Sequence, residues 1–295
     1  MRPSITQLEY LVALARTLNF RQAAEQLHVS QPALSTQIKK LETQLGVTLF
    51  ERDRRRVLPT EIGTEVVRQS QRILRDLDEM AAYVRSRDDP MAGTVRLGVI
   101  PTIAPFALPR ALPEIHRRYP DLRLYVREEQ TSALLDRLRD GRLDLVLLAI
   151  DVDVGSAETL ALFDDAFVLA MPPSHRLASR DQITIADLRD EEVLLLEDGH
   201  CLAQQSREVC RQAGSHELGD FRATSLGTLV QMVAAGLGIT LLPEMAVPEL
   251  RRHEGLVMRP FAEPRPSRKV GLAWRHGALR ADTFRALGEL FERAV

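Results

Sequence analysis

From Glu61 to Arg87 nothing interrupts a helix, and Ile62, Val66, Gln69, Ile73, Leu77, Met80 and Val84 follow one another at spacings of 4, 3, 4, 4, 3 and 4. Positions 62, 73 and 84 are therefore equivalent, and an eleven-residue repeat keeps such a seam nearly straight or slightly right-handed along one face. A long helix with one apolar seam is stable only when something covers the seam. A second copy of the same helix is the simplest cover, and the chain's own C-terminal part is the other. Asp88, Asp89, Pro90, Met91, Ala92 and Gly93 then close the helix, because the residue before a proline is driven out of helical geometry and a glycine follows. The sequence thus predicts a small head over 1–60, a linker helix over 61–89 and a larger body over 90–295.

In the head, Thr6 and Glu9 have capping-box spacing, and Leu8, Leu11, Val12 and Ala15 recur at helical intervals up to Thr17. Phe20, Ala23, Ala24 and Leu27 make the stripe of a second helix, and His28 and Val29 make a short turn. Ser30 caps a third, with Pro32 in its first turn, where a missing N–H costs nothing. Leu34, Ile38, Leu41 and Leu45 face its core side as far as Gly46, which leaves Ser30, Gln31, Ser35, Thr36, Gln37 and Lys40 exposed. This is a helix-turn-helix. The N-terminal end of its second helix enters the major groove of DNA, where amide and hydroxyl side chains pair with base edges and the helix N-terminus favours phosphate. Next comes FERDRRRVLPT, a short arginine-rich hairpin. Alone it reads as a solvated loop, and after a helix-turn-helix it reads as a basic wing. Residues 1–60 carry nine Lys or Arg against five Asp or Glu although the whole chain is at −2, so positive charge gathers in the head.

The stretch FRQAAEQLHVSQPALSTQIKKLETQLGVTLFERDRRRVLPTEIG resembles the winged helix-turn-helix of LysR-type regulators almost residue for residue. The resemblance implies that promoter DNA is held by Ser30, Gln31, Pro32, Ser35, Gln37, Arg54, Arg55 and Arg56. It further implies linker helices that pair between subunits, a homo-oligomer built as a dimer of dimers, and recruitment of RNA polymerase.

With 45% hydrophobic and 27% charged residues the chain has the composition of an ordinary folded protein rather than a disordered tail or a rod. The longest aliphatic run, Leu145 to Ile150, is far short of a bilayer span, and MRPSITQLEY lacks the apolar region of a signal peptide, so a cytoplasmic protein without membrane contact is expected. In the body, VRLGVI, LRLYVRE, GRLDLVLLA, FVLAM, VLLLEDG, GITLLP and KVGLAWR alternate with helical stretches, which predicts an α/β fold with largely parallel sheets. Ser215–Asp220 reads as a loop. The family resemblance implies a two-lobed body like a periplasmic binding protein, lobe I over about 93–163 and 268–295, lobe II over about 164–267, with an effector site in the cleft between them. No Walker loop, zinc-type spacing or GxSxG elbow occurs, so neither an enzyme nor a metal or cofactor is expected.

Two cysteines make no disulfide framework, so in a reducing compartment they are either buried hydrophobes or chemistry. Leu196 ends a strand, Gly199 turns the chain, and Cys201 falls at the start of the next helix, where free N–H groups favour a negative charge. Cys201 is thus the better nucleophile. Cys210 follows nine residues later, a rise of about 13.5 Å along a helix, whereas a disulfide needs its Cα atoms within roughly 7 Å. If that bond forms, the helix must rearrange.

LEDGHC with a second cysteine nine residues on, FRATSL followed by MVAAG and GITLLP, and IPT at the start of the body resemble the peroxide-sensing activators of the LysR-type family. The resemblance implies that hydrogen peroxide oxidises Cys201, that Cys210 resolves the product to an intramolecular disulfide, and that glutaredoxin or thioredoxin resets it. It implies a peroxide pocket of Thr102, Thr131, His200 and Arg268. On the residues alone, Thr102 and Thr131 could cap helices, Arg268 could be a surface charge and His200 a turn residue. The alternatives are a LysR-type regulator with passive cysteines and a small organic effector in the cleft, and a thiol peroxidase, against which the head argues.

Overall fold

The computed structural model describes residues 2–53, 56–85, 89–251 and 253–294, with backbone alone at 52–53, 79, 82–85 and 219–221. It divides into two compact units, Met1–Asp88 and Asp89–Val295. Among the described residues no helix is long and apolar enough to cross a membrane.

The first unit is α1 (Ile5–Thr17), α2 (Phe20–Gln26), α3 (Gln31–Leu45), an antiparallel hairpin of β1 (Phe50–Asp53) and β2 (Arg56–Pro59), and α4 (Glu61–Arg85). The capping box of α1 lies two residues earlier than expected: the Gln7 N–H donates to Ser4 Oγ and the Ser4 N–H to Gln7 Oε1, at 3.2 and 2.9 Å. Thr6 and Glu9 lie inside the helix. The Ser30 hydroxyl caps α3 by accepting the Ala33 N–H, and Gly46 ends it at φ +70°, a conformation glycine adopts freely. Leu11, Leu14, Ala23, Ala24, Leu34, Ile38, Leu41, Leu49 and Phe50 fill the core between the helices and the hairpin. Leu45, expected in that core, is 37% exposed at the very end of α3, just before the Gly46 cap. On α4, Val66 and Val67 pack on the core, while Ile62, Ile73 and Met80 of the seam stay exposed in the single chain.

The second unit runs β3 (Gly93–Val99), α5 (Ala104–Arg118), β4 (Leu122–Glu128), α6 (Thr131–Arg139), β5 (Leu145–Ala149), β6 (Ala157–Met171), β7 (Glu192–Leu196), α7 (Cys201–Ala213), β8 (His216–Ala223), α8 (Leu226–Ala234), β9 (Thr240–Pro243), α9 (Val247–Leu250), β10 (Val257–Pro260), β11 (Ser267–Arg275) and α10 (Ala281–Arg293). Seven strands form one sheet in the order β10-β6-β11-β5-β3-β4, with β9 also on β6. The expectation of largely parallel sheets needs correction. Among the named strands, β3 pairs in parallel with β4 and β5, and β7 with β8, whereas β6 and β11 run antiparallel to each other and to their other neighbours. These two long strands are shared by both halves of the unit: β6 meets β11 along its first part, then carries β9 and β10 on its last. The 215–220 stretch is not a loop but mostly strand β8, whose alternating polar residues reflect a two-stranded edge rather than a buried run.

The register of β11 against β6 shifts between Val270 and Gly271. A Cβ on Gly271 would stand 2.5 Å from the Leu160 carbonyl oxygen and 2.8 Å from Ile150 Cδ1. Gly271→Ala is therefore expected to destabilise this unit by about 1–3 kcal/mol, read as a lower urea midpoint for its unfolding.

Candidate functional site

Both cysteines lie on α7, Cys201 as its first residue and Cys210 about two and a half turns on, and both are buried free thiols. The apolar spacing of Cys201, Leu202, Val209, Cys210 and Ala213 turns this face onto the core and directs Gln204 and Glu208 outward. Burial pushes the Cys210 thiol above its usual pKa, and the nearby Glu217 carboxylate adds to this, so Cys210 is a neutral thiol at pH 7. The Arg207 guanidinium, between the cysteines, donates to Asp198 just before the helix and pairs with Glu217 of β8 at 3.3 Å.

The approach to Cys201 is shaped by a tight turn. Gly199 has φ +102°, and a Cβ there would lie 2.4 Å from Gln130 Oε1. Gln130 Nε2 in turn donates to Glu197 Oε1 at 3.0 Å, which fastens the start of α6 against the turn that carries Cys201. Thr131, the next residue, opens α6, and its buried Oγ1 has no hydrogen-bond partner. The same holds for His200 Nε2 and Gln205 Oε1. Burial lowers the His200 pKa, so that imidazole is neutral at pH 7. Gln205 Nε2 donates to Asp151 Oδ1 at 2.8 Å, tying the start of the second turn of α7 to the segment after β5. Three buried polar atoms without partners, on the residue before Cys201, one helical turn after it and at the start of α6, are unusual in a folded interior and fit a small polar ligand.

Thr102 and Arg268 meet directly. Arg268 Nη1 donates to Thr102 Oγ1 at 2.8 Å and Nη2 to the Thr102 carbonyl at 3.1 Å. Arg268 is 1% exposed, so it is no surface charge, and its counter-ion is Asp165 at 2.9 Å rather than a cysteine. Neither threonine hydroxyl caps a helix. Sequence reasoning missed Gln130, Asp165, Glu197 and Gln205. Of these only Gln205 left a signal, standing one helical turn after Cys201; the rest depend on contacts between distant segments. In the head, Ser30, Gln31, Pro32 and Arg56 are exposed and Ser35 and Gln37 partly so, while Arg54 and Arg55 lie outside the described residues. Gln37 also accepts from Gln7 of α1 at 3.4 Å.

A helix-turn-helix head with a wing, followed by a helix and a sheet-rich body with a small polar site, is the build of a one-chain transcription regulator. Residues 5–64 match the bacterial regulatory helix-turn-helix protein of the lysR family, and residues 88–295 match the LysR substrate binding domain. The chain belongs to the LysR family of DNA-binding regulators, which are not enzymes, and within it to the OxyR group. It is 44% identical over 286 residues to the DNA-binding transcriptional dual regulator OxyR of Escherichia coli (strain K12), covering 97% of this chain and 94% of that one. Among solved structures it resembles a full-length cysteine-to-aspartate variant of OxyR from Pseudomonas aeruginosa, with TM-score 0.79, 35% identity, and 99% and 95% of the two chains covered. It also resembles a cysteine-to-serine variant of Corynebacterium glutamicum OxyR bound to H2O2, with TM-score 0.70, 33% identity, and 100% and 93% covered.

The bonding pattern separates the two threonines. Thr131→Val removes a hydroxyl that bonds to nothing and is expected to shift the unfolding free energy by less than about 1 kcal/mol. Thr102→Val takes an acceptor from a buried charged donor and is expected to cost about 1.5–3 kcal/mol, both read by denaturant unfolding of the reduced protein.

Proposed function

We propose that the protein is a hydrogen-peroxide-sensing transcription activator whose signal is oxidation of Cys201. The observation that carries this is the buried Cys201 at the start of α7 with partnerless buried atoms on His200 just before it, on Gln205 one turn into the same helix and on Thr131 at the start of α6. The relatives named for OxyR, one of them solved with H2O2, support it. The Cys201 thiolate attacks one peroxide oxygen, the O–O bond breaks, and the leaving hydroxide takes a proton to depart as water. Sulfur is oxidised to sulfenic acid as peroxide is reduced. Hydroxyl donors at Thr102 and Thr131 and the neutral His200 suit a ligand that must accept hydrogen bonds as its O–O bond lengthens. Cys210 then displaces hydroxyl from the sulfenic acid, giving a disulfide and a second water. Because α7 holds the two residues nine positions apart, the disulfide requires α7 to unwind or rearrange.

That rearrangement is the switch. It alters how regulatory domains pair in a homo-oligomer, a dimer of dimers, and so the spacing of the helix-turn-helix heads on promoter DNA and the recruitment of RNA polymerase. The linker helices pair through the seam of Ile62, Ile73 and Met80, exposed in the single chain. Ser30, Gln31, Pro32, Ser35 and Gln37 read bases and position phosphates, Arg54, Arg55 and Arg56 hold the backbone, and glutaredoxin or thioredoxin returns the thiols in the cytoplasm.

Near-stoichiometric peroxide is expected to remove two hydrogens from the intact mass and to link the Cys201 and Cys210 peptides. Two unchanged thiols would reject the reading in favour of an organic effector in the cleft. Arg54→Ala with Arg55→Ala is expected to weaken operator binding and to lower the salt slope by about 1 for each phosphate that is no longer neutralised.

A further inference from the structure

We propose that Asp165 is a positioning residue for the peroxide reaction, acting through Arg268 to hold the Thr102 hydroxyl as a hydrogen-bond donor. The proposal rests on the reading of Thr102 as part of the peroxide pocket. Asp165 and Arg268 are register partners on β6 and β11, both buried, and Arg268 Nε and Nη2 both reach Asp165 Oδ2, at 3.0 and 2.9 Å. The other carboxylate oxygen accepts the Met245 N–H at 3.1 Å, just after β9. With these bonds in place, the guanidinium presents Nη1 to Thr102 Oγ1 and Nη2 to the Thr102 carbonyl, just after β3.

A threonine hydroxyl has one proton and two lone pairs. Because Arg268 can only donate, the bond at Oγ1 consumes a lone pair and leaves the proton free, and no described residue accepts it. A cation bonded to the oxygen also makes that proton a better donor. Thr102 is thus set to give its proton to an oxygen acceptor while its backbone is gripped by the same guanidinium. A buried guanidinium without a carboxylate would not hold this place, because its desolvation would be unmatched. Asp165 is the only carboxylate that Arg268 bonds among the described residues, so the orientation of the Thr102 hydroxyl depends on a residue that bonds neither threonine nor cysteine.

The test is a double-mutant cycle on the full-length reduced protein, reading the rate of Cys201 oxidation by hydrogen peroxide and, in parallel, its alkylation by iodoacetamide, which needs no hydroxyl donor. Asp165→Asn is expected to slow oxidation at least about tenfold while alkylation changes far less. Thr102→Val is expected to slow oxidation similarly, and adding Asp165→Asn to it is expected to slow it no further. If Asp165→Asn alone does not fold, Asp165→Leu combined with Arg268→Met removes both charges together, a replacement that buried pairs tolerate, and should react as slowly as Thr102→Val. A slow Thr102→Val with a native-rate Asp165→Asn, additive losses, or equal slowing of oxidation and alkylation would overturn the proposal and leave the pocket reading intact. A native-rate Thr102→Val would overturn both, since the hydroxyl would then have no part in the reaction.

Discussion

Among the described residues of the second unit Arg268 is the most buried charge, with 1% of its surface exposed, and it sits where the two long strands cross between the halves of that unit. Such a group is tolerated only with a matched carboxylate and with its remaining N–H groups bonded, because breaking a buried pair typically costs roughly 3–5 kcal/mol. The Asp165 carboxylate supplies the charge, and Thr102 and Met245 supply the remaining acceptors. The segments after β3 and after β9 are thereby fixed to one anchor point although they belong to different halves of the sheet. The apolar residues on either side, Phe167 and Leu169 on β6 and Val270 and Leu272 on β11, give the surroundings that make the pair strong and its loss costly.

The second constraint is helical geometry. One continuous α7 keeps Cys201 and Cys210 too far apart to bond, and both thiols contribute to the buried face that holds the helix down. Arg207 lies between them and bridges Asp198 to Glu217, so ionic contacts on the outer face act with apolar burial on the inner one to keep α7 intact. These pairs are half-exposed, and each contributes little by itself. Joining the two sulfurs therefore requires giving up helical hydrogen bonds and core packing, which covalent bond formation can offset and simple binding at the surface could not.

Much of the head was legible because its signals are local. Caps, turn residues and a 3.6-residue period each span a few positions, and they placed α1, α2, α3, the hairpin and α4. The α1 cap slipped by two residues because Ser4 with Gln7 and Thr6 with Glu9 both satisfy the same spacing, and only the packed helix selects one. In the second unit most strands were found as apolar runs, yet their directions were not. A strand buried on both faces, such as Leu145–Ala149, has the same pattern whether its neighbour runs with it or against it. β8 was missed altogether because an edge strand carries polar side chains.

The sequence by itself determined a helix-turn-helix with an arginine-rich wing, a seamed helix after it, and a cysteine at a helix start with another nine residues on. Each of these is set by neighbours in the chain. Tertiary structure alone decided that Arg268 faces Asp165 and Thr102 across 103 and 166 residues of sequence, that Gln130 closes on Glu197 over the Gly199 turn, and that Thr131, His200 and Gln205 keep polar atoms unpaired. The reason is that burial and the pairing of buried polar groups are properties of the packed chain, fixed only when segments far apart in sequence exclude water from one another.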